Sequence, residues 1–392
     1  MSREPRVERL ARRLADTVRA TGELGPGWER AFTAVQRHRY ITPTYWVPLE
    51  GARGYERIVR SEQPDRWLDT IYTDTAIVTR IDRSRTDGDA LHPSSSSSMP
   101  LVVARMLRHL DISDDDPVRV LEIGTGTGWN AALLCARLGS RSVVSVEIDP
   151  ETTARARAAL ARDGRAPALL TGDGEKGAPD HAPFDRVIST CAVHEVPYPW
   201  VGQTAPGGTV VTPWGTAYSN SGLLKLTVRR DGTGHGRFVG TASFMWSLPQ
   251  RPAPETFERE EGTHSTTGLL PELVRDYGHA QCAVGLMLPP GTSGRIAHGT
   301  GDASGEYTLW LFHPETGSWA SVDHEPGATR HDVHQYGRYR LWDTAELAHR
   351  WWTDQGEPPR NRFGLTVMPH RQAVWLLDRH GNEVPVPGEG AG

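Results

Sequence analysis

The chain has 392 residues, with 43 Lys and Arg residues against 48 Asp and Glu residues and a formal net charge of −5. This length allows two or three domains, and the acidic balance argues against a nucleic-acid partner. Cys135, Cys191 and Cys282 lie far apart, so they fit neither a disulfide framework nor a zinc ribbon. The Arg-rich amino terminus lacks an apolar segment, and no stretch reaches the roughly 20 apolar residues of a membrane span. We therefore expect a cytoplasmic protein with no membrane partner.

The first hundred residues predict two helices followed by a long irregular segment. Apolar residues recur at helical spacing over residues 3–20, and a second helix is expected over residues 28–40. Residues 61–98 read mostly as loop with one strand at 76–79, and end in five consecutive serines, a composition typical of a flexible linker. Pro100 can occupy the first turn of a further helix, which makes Ser98 the N-cap candidate.

Strand and helix patterns alternate between residues 118 and 250. We predict strands at residues 118–123, 142–148, 168–171, 186–190 and 209–213, with helices at 129–138 and 150–162. Two more strands, at 223–229 and 238–244, are expected to pair antiparallel near the sheet edge. The alternation indicates βαβ units and a doubly wound α/β domain with a parallel sheet.

The pattern changes near residue 250, where three prolines stand in a charged, apolar-poor stretch that reads as a linker. Beyond it we predict helices at residues 268–277 and 344–352 and strands at 307–312, 319–322, 363–367 and 373–377. The expected organisation is an N-terminal helical lead-in at residues 1–90, an α/β core at 91–250 and a small α+β domain at 251–392.

The strongest chemical signal is the run Val120-Leu121-Glu122-Ile123-Gly124-Thr125-Gly126-Thr127-Gly128. A strand enters a glycine-rich turn and then a helix, and glycines let the backbone turn sharply and approach a ligand closely. The spacing G-x-G-x-G departs from the dinucleotide pattern G-x-G-x-x-G, in which a pyrophosphate uses the helix N-terminus. S-adenosylmethionine has no phosphate, so this spacing suits it better.

Two carboxylates follow the glycine turn at the ends of the next two predicted strands. Glu147 ends the second strand and could accept hydrogen bonds from both ribose hydroxyls. Gly172-Asp173-Gly174 follows the third strand, where a carboxylate and N–H groups can read an adenine edge. The alternatives are that Glu147 only caps the next helix and that Gly172-Asp173-Gly174 is only a turn.

Four segments occur in the order and at the spacing of protein-L-isoaspartate O-methyltransferases. They are the glycine run above, Ser98-Met99-Pro100-Leu101-Val102-Val103-Ala104-Arg105-Met106, Phe184-Asp185-Arg186-Val187-Ile188-Ser189-Thr190 and Glu195-Val196-Pro197. The chain resembles this family from about residue 72 to residue 248. A generic methyltransferase would share the glycine run but not the serine-x-proline segment or the Glu-Val-Pro loop.

The resemblance implies a Rossmann-like S-adenosylmethionine-dependent methyltransferase core, followed here by an additional C-terminal α+β domain. It implies methyl transfer from S-adenosylmethionine to a peptide carboxylate. The cofactor-binding residues it implies are Glu122, Gly124, Thr125, Gly126, Thr127, Gly128, Glu147, Asp173, Gly174 and Thr190. Ser98 would orient the carboxylate, with Ser97, Val193 and His194 bordering the peptide. A helix N-cap remains the alternative as the only role of Ser98.

Two features depart from a plain repair enzyme. Val193-His194 replaces the Pro-Pro that the family usually carries before its Glu-Ile-Pro, and residues 251–392 lie beyond the family's usual end. The architecture resembles methyltransferases associated with ribosomally made lanthipeptides and graspetides, which implies methylation of an Asp in a cyclised precursor peptide, leading to aspartimide or isoaspartate. The alternatives are general isoaspartyl repair and a non-catalytic cofactor-binding scaffold.

The C-terminal domain offers three further candidates. Its tryptophans, at 310, 319, 342, 351, 352 and 375, could line a peptide groove, although aromatic residues at these spacings are more often core. His324, His331 and His334 lack a metal-ligand pattern. The arginines at 338, 340, 360 and 362 could hold an acidic peptide or form a solvated surface.

Overall fold

The computed structural model describes residues 3–25, 27–49, 54–82, 92–113, 117–253, 261–275, 279–298 and 305–388. The chain divides into two compact units. The first consists of Met1–Cys191, Pro197–Thr212 and Thr227–Gly232, and the second of Ala192–Val196, Pro213–Leu226 and Thr233–Gly392. This division differs from the boundaries at residues 90 and 250 that the sequence suggested, because the segments between residues 192 and 250 are shared between the two units.

The first unit begins with helices and a small antiparallel sheet. The helices are α1 (Arg3–Ala20), α2 (Trp28–Ala34), α3 (Pro64–Ile71) and α4 (Pro100–Arg108), and the strands are β1 (Thr44–Pro48), β2 (Tyr55–Val59), β3 (Ile77–Ile81) and β4 (Pro93–Ser97), in the order β2-β1-β3-β4. The helix expected over residues 3–20 is confirmed, whereas α2 ends before a separate 3-10 turn. The linker interpretation of the serine run was wrong, because β4 pairs antiparallel with β3.

The amphipathic character of α1 explains where it lies. Val7, Leu10 and Leu14 are buried while Arg9 and Arg12 are exposed, so the helix covers the first unit with one apolar face. Within the ranges that the structure describes, no helix combines the length and the apolar composition needed to cross a membrane.

A parallel sheet forms the centre of the first unit. Its strands are β5 (Val120–Ile123), β6 (Val143–Glu147), β7 (Ala168–Thr171), β8 (Phe184–Ser189) and β9 (Thr204–Trp214), in the order β9-β8-β5-β6-β7. The helices α5 (Trp129–Leu138), α6 (Pro150–Arg162) and α7 (Tyr198–Gly202) connect them. The strand order reverses between β5 and β8, and ligands of open α/β sheets bind at the strand ends beside such a reversal. The glycine run follows β5 directly, so the fold places it there.

Among its described residues, the second unit contains two strand arrays and three helices. One array runs β19-β18-β17-β11-β10 and the other β12-β16-β15-β14-β13. Their strands are β10 (Gly222–Val228), β11 (Gly234–Thr241), β12 (Thr263–Thr267), β13 (Ser293–His298), β14 (Tyr307–His313), β15 (Ser318–His324), β16 (His331–Tyr336), β17 (Phe363–Met368), β18 (Arg371–Leu377) and β19 (Glu383–Pro385). The helices are α8 (Pro271–Arg275), α9 (His279–Met287) and α10 (Leu341–Asp354). The α+β character is as expected, but β12, β13, β16, β19 and α9 were missed.

Three of the six candidate tryptophans belong to the core of the second unit, whereas Trp310, Trp351 and Trp352 are partly exposed. Trp319, Trp342 and Trp375 are at most 7% exposed. Their burial supports the core interpretation over the aromatic groove that the sequence left open.

Candidate active site

The glycine turn after β5 needs glycine at each of its three positions. Gly124, Gly126 and Gly128 have φ values of +85°, +54° and +84°, in the left-handed region that other residues rarely adopt. A Cβ on Gly124 would lie 2.8 Å from both Thr190 Oγ1 and Cys191 Sγ. The Thr190 hydroxyl donates a hydrogen bond to the Gly124 carbonyl at 2.6 Å. The turn is therefore closed against the end of β8, and Thr190 fixes it rather than standing free for a ligand.

Glu147, at the end of β6, is joined to the same turn. The Gly126 N–H donates to Glu147 Oε2 at 2.9 Å, and the Asp149 N–H donates to Glu147 Oε1 at 3.1 Å. Glu147 is partly exposed, and carboxylate oxygens accept more than one hydrogen bond. The interpretation of Glu147 as a helix cap was wrong, because the Asp149 side chain caps α6 by accepting from the Thr152 N–H at 2.8 Å.

Glu122 supports the turn from below. It is fully buried, and its carboxylate accepts hydrogen bonds from Asn130 Nδ2 and Ser145 Oγ. Ser145 Oγ is in turn 2.6 Å from Thr125 Oγ1. Burial raises the pKa of Glu122 from 4.5 to about 7. The implied cofactor contacts of the Glu122 and Thr125 side chains are corrected here, because both are buried and hydrogen-bonded beneath the turn.

Asp173 and Gly174 follow β7 as the sequence predicted. The Asp173 side chain caps a short 3-10 turn by accepting from the Glu175 N–H at 3.0 Å. The Gly174 carbonyl accepts from the indole N–H of buried Trp200 at 2.8 Å, and a Cβ on Gly174 would lie 2.7 Å from the Ile123 side chain. Gly174 is thus required where the ends of β5 and β7 approach each other.

Thr127 and Gly128 lead from the turn into α5. Thr127 is partly exposed, and its hydroxyl accepts from the Trp129 N–H at 3.4 Å. A Cβ on Gly128 would lie 3.3 Å from the Ala156 Cβ, so Gly128 lets α5 pack closely against α6.

The serine strand β4 runs over the glycine turn. A Cβ on Gly126 would lie 3.5 Å from the Ser96 carbonyl oxygen. Ser97 is 2% exposed and its hydroxyl accepts from Arg37 Nε at 3.3 Å. The contact of Ser97 with a peptide that the resemblance implies is therefore not available to its side chain.

Arg37 holds the end of the serine strand and was missed by sequence reasoning. Its guanidinium donates to the carbonyls of Ile71, Ser97 and Ser98 at 2.8, 3.2 and 2.9 Å. It also lies 5.0 Å from the ring centroid of Trp129, the first residue of α5. Burial lowers the pKa of Arg37 to about 9. Arg37 stands among other charged residues in the sequence, so no local signal distinguishes it.

Ser98 keeps its hydroxyl free of the fold. Among the described residues no group forms a hydrogen bond with Ser98 Oγ, and Ser98 is partly buried. The N-cap interpretation was wrong: the cap position of α4 is Met99, without a side-chain bond, and Asp74 Oδ1 accepts from the Leu101 N–H at 2.8 Å. An available hydroxyl at the end of a firmly held strand suits a group that orients a carboxylate.

Val193 and His194 lie in the second unit. Val193 is fully buried, so the peptide contact implied for it is not available to its side chain, whereas His194 is exposed. The backbone of residues 194–196 is held by two glutamine amides. Gln250 Oε1 accepts from the His194 and Glu195 N–H groups at 2.9 Å, and Gln372 Oε1 accepts from the Val196 N–H at 3.1 Å.

Several histidines of the second unit lie against other histidine rings. Across the ranges that the structure describes, no group of three or more His, Cys, Asp or Glu residues is placed to hold a metal ion. His331 is 3% exposed, and its ring is tilted against that of His324 with 5.1 Å between the ring centroids, while His334 faces His264.

Comparison with known proteins connects this geometry with one family. The model of protein-L-isoaspartate(D-aspartate) O-methyltransferases matches residues 55–245. A protein-L-isoaspartate O-methyltransferase of Pyrococcus abyssi is 36% identical over 149 residues, which are 38% of this chain and 68% of the relative. Relatives of the same description in an Anaeromyxobacter strain and in Methanoculleus marisnigri are 50% and 46% identical over 34% of this chain. The chain spans only 63% and 59% of the length of these two relatives.

A solved structure described as a protein-L-isoaspartate O-methyltransferase shares the fold. It superposes with a TM-score of 0.51 at 21% sequence identity, covering 93% of this chain and 98% of that one. A coverage this large means that the superposition extends beyond residue 245. The sequence matches and the glycine-turn geometry together establish that the chain belongs to the protein-L-isoaspartate O-methyltransferase family.

Proposed function

We propose that this protein is an S-adenosylmethionine-dependent O-methyltransferase that acts on a carboxylate of a peptide. The observation that carries the proposal is the hydrogen bond from the Gly126 N–H to Glu147 Oε2 at 2.9 Å. It joins the glycine turn after β5 to the carboxylate at the end of β6, which is where a nucleoside binds in sheets of this topology.

The residues fit this cofactor. The three glycines with positive φ carry no side chain, so a cofactor can approach the backbone of the turn closely. Glu147 is partly exposed, so its carboxylate is available to ribose hydroxyls. The residues that we propose to hold the cofactor are Gly124, Gly126, Thr127, Gly128, Glu147, Asp173 and Gly174, with Glu122, Thr125 and Thr190 fixing the turn. When bound, S-adenosylmethionine supplies an electrophilic methyl group on a sulfonium centre.

Ser98 is the residue that we propose to orient the acceptor. An aspartyl or isoaspartyl carboxylate has a pKa near 4 and is already ionised at neutral pH, so the chain needs no general base. Its task is alignment, and the Ser98 hydroxyl can donate to one carboxylate oxygen while Arg37 fixes the backbone at Ser98. No proton is transferred in forming the ester.

For the acceptor we propose an Asp in a cyclised ribosomal peptide, with aspartimide or isoaspartate as the product. The alternative is general repair of isoaspartyl residues. The departure from the family pattern, Val193-His194, supports the specialised acceptor, because Gln250 and Gln372 attach this segment to the second unit rather than to the catalytic unit. The presence of a second unit does not favour lanthipeptide or graspetide biosynthesis by itself, since a solved member of the family has a similar overall fold. We place the reaction in the cytoplasm.

The test compares three peptides of matched sequence, each incubated with the purified chain and S-adenosylmethionine and followed by intact mass. They are a linear isoaspartyl peptide, its linear Asp counterpart and a cyclised Asp peptide. Methyl gain and then methanol loss on the cyclised peptide alone would support the biosynthetic function, and methyl gain on the isoaspartyl peptide alone would support repair. If the chain binds S-adenosylmethionine but methylates none of the peptides, the result would instead support the non-catalytic cofactor-binding scaffold.

A further inference from the structure

The second unit contains a cavity of about 550 Å³, and the described residues that line it are almost all uncharged. This volume lies within the range of about 300–1,000 Å³ that small-ligand sites occupy. Its wall includes prolines 249, 252, 290, 314 and 385 together with leucines 286 and 288 and valines 374 and 386. Among the described residues that line it, Arg251 and Glu315 are the only ones with an acidic, Lys or Arg side chain, and their charges are of opposite sign.

The cavity shares its wall with the segment that carries His194. His194, Gln250 and Gln372 all line it. Gln250 Nε2 donates to the Glu195 carbonyl and Gln372 Nε2 donates to the His194 carbonyl, both at 2.8 Å. Each side-chain amide therefore both accepts from and donates to the backbone of this segment, which fixes His194 at the cavity. In the chain, His194 comes four residues after Thr190, which closes the glycine turn.

Another side of the wall is formed by Gly285 and Leu286 of α9, and α8 packs nearby. A Cβ on Gly285 would lie 2.8 Å from Thr216 Oγ1, and the Tyr218 hydroxyl donates to the Val274 carbonyl. The indole N–H of Trp214, which also lines the cavity, is buried and has no acceptor among the described residues. A buried donor without a partner is costly, so a ligand carbonyl is a favourable neighbour for this side of the wall.

We propose that this cavity binds an uncharged, apolar segment of the acceptor peptide, outside the residue that is methylated. The proposal rests on the proposed function, because it takes a peptide as the substrate. An acidic segment is disfavoured, because Arg338, Arg340, Arg360 and Arg362 do not line the cavity. The side chains of Arg360 and Arg362 are already bonded to backbone carbonyls. The prolines of the wall lack N–H groups, so the lining favours apolar contacts.

The test fills the cavity with a large side chain. Ala373 lines the cavity and is exposed, whereas Arg371 on the same strand is exposed and does not line it. Ala373→Trp is therefore the test variant and Arg371→Trp its matched control, with Ala217→Trp as a second filling variant. The probes are two labelled peptides with the same isoaspartyl residue, one flanked by Leu, Val and Pro and one by Asp and Lys.

Equilibrium binding by fluorescence anisotropy and the KM of methyl transfer are both measured on the full chain. We expect the wild type to bind the apolar-flanked peptide at least about tenfold more tightly, the factor that burial of roughly one apolar side chain provides. Either filling variant should remove this preference and leave kcat unchanged, and Arg371→Trp should retain it. Equal affinity for both peptides in the wild type, or a preference that survives in a folded filling variant, would overturn the proposal.

Binding and turnover separate the two proposals. If the apolar peptide binds to the wild type and not to Ala373→Trp while neither peptide is methylated, the cavity proposal holds and the proposed function fails. If both peptides are methylated with the same KM and bind equally, the function holds and the cavity proposal fails.

Discussion

Replacing Glu122 by Gln tests whether a buried carboxylate beneath the glycine turn makes the first unit sensitive to pH. Burial raises the pKa of Glu122 from 4.5 to about 7. Because the folded state holds this proton more tightly than the unfolded state, the stabilisation is fully present below pH 4.5 and is lost as the pH rises through 7. The raised pKa corresponds to a loss of about 3 kcal/mol of unfolding free energy, at about 1.4 kcal/mol per pH unit.

Gln is a suitable replacement because it keeps every hydrogen bond of the site. Its carbonyl can accept from Asn130 Nδ2, and its amide can donate to Ser145 Oγ, which then donates to Thr125 Oγ1. The variant should therefore gain stability relative to the wild type as the pH rises from 4.5 to 8, by up to about 3 kcal/mol. Below pH 4.5 the two proteins should differ little.

The assay is hydrogen exchange resolved by segment, because a chain of two units need not unfold in one step. Exchange of the β5 and α5 amides is compared between variant and wild type at the same pH, so that other titrating groups cancel. Glu195→Gln, at an exposed carboxylate in the second unit, is the control and should show no difference in these segments. A stability difference between Glu122→Gln and wild type that stays constant from pH 4.5 to 8 would show that the pKa of Glu122 is not raised in the folded state.

Three further predictions, two of them with a matched control variant, separate residues that hold the fold of the site from the residue that orients the acceptor. Gly124→Ala should weaken S-adenosylmethionine binding at least about tenfold by calorimetry, whereas Gly139→Ala, equally left-handed but with no atom within 4 Å of its Cβ, should keep the affinity; equal losses would contradict this. Ser98→Ala should lower kcat by about tenfold to a hundredfold, the value of a hydrogen bond to a charged group, without changing cofactor affinity. Ser97→Ala should mainly lower stability, and an unchanged kcat in Ser98→Ala would exclude the orienting role. Asp149→Ala should destabilise α6 by about 1 kcal/mol in hydrogen exchange, and unaltered protection there would exclude the cap.

The strand ends that form the site could be predicted because local patterns determine them. The strand expected at residues 168–171 is β7 with the same bounds, and Glu147 stands at the end of β6 as expected. The periodicity of apolar residues, the spacing of the glycines and a carboxylate at a strand end are all signals within a short stretch of sequence. They place Gly126 and Glu147 correctly before any tertiary contact is known.

The misses involve residues whose roles depend on distant partners. The serine strand has no apolar alternation, and it is a strand only because β3 pairs with it. Arg37 acts on carbonyls 34 to 61 residues away, and Asp74 caps a helix that begins well beyond it. Such contacts leave no periodic pattern in the sequence, so only the fold reveals them.

Glu122 was misassigned for a different reason. Glu122 stands two residues before the glycine turn, as in the family pattern. However, the side chain of a strand residue can point to either face of the sheet, and the sequence position alone does not say which. The structure turns Glu122 toward Asn130 and Ser145 in the interior. Its contribution is therefore to the position of the turn.

The most direct test of carboxyl methylation follows a labelled methyl group from S-adenosylmethionine to a peptide and then treats the product with mild base. A methyl ester releases labelled methanol under these conditions, whereas a methyl group on nitrogen stays on the peptide. We expect base-labile, volatile label from the wild-type protein and strongly reduced transfer by Ser98→Ala. Two results would contradict carboxyl methylation. One is label that resists base. The other is no transfer to either the isoaspartyl or the cyclised Asp peptide by a folded protein that binds S-adenosylmethionine.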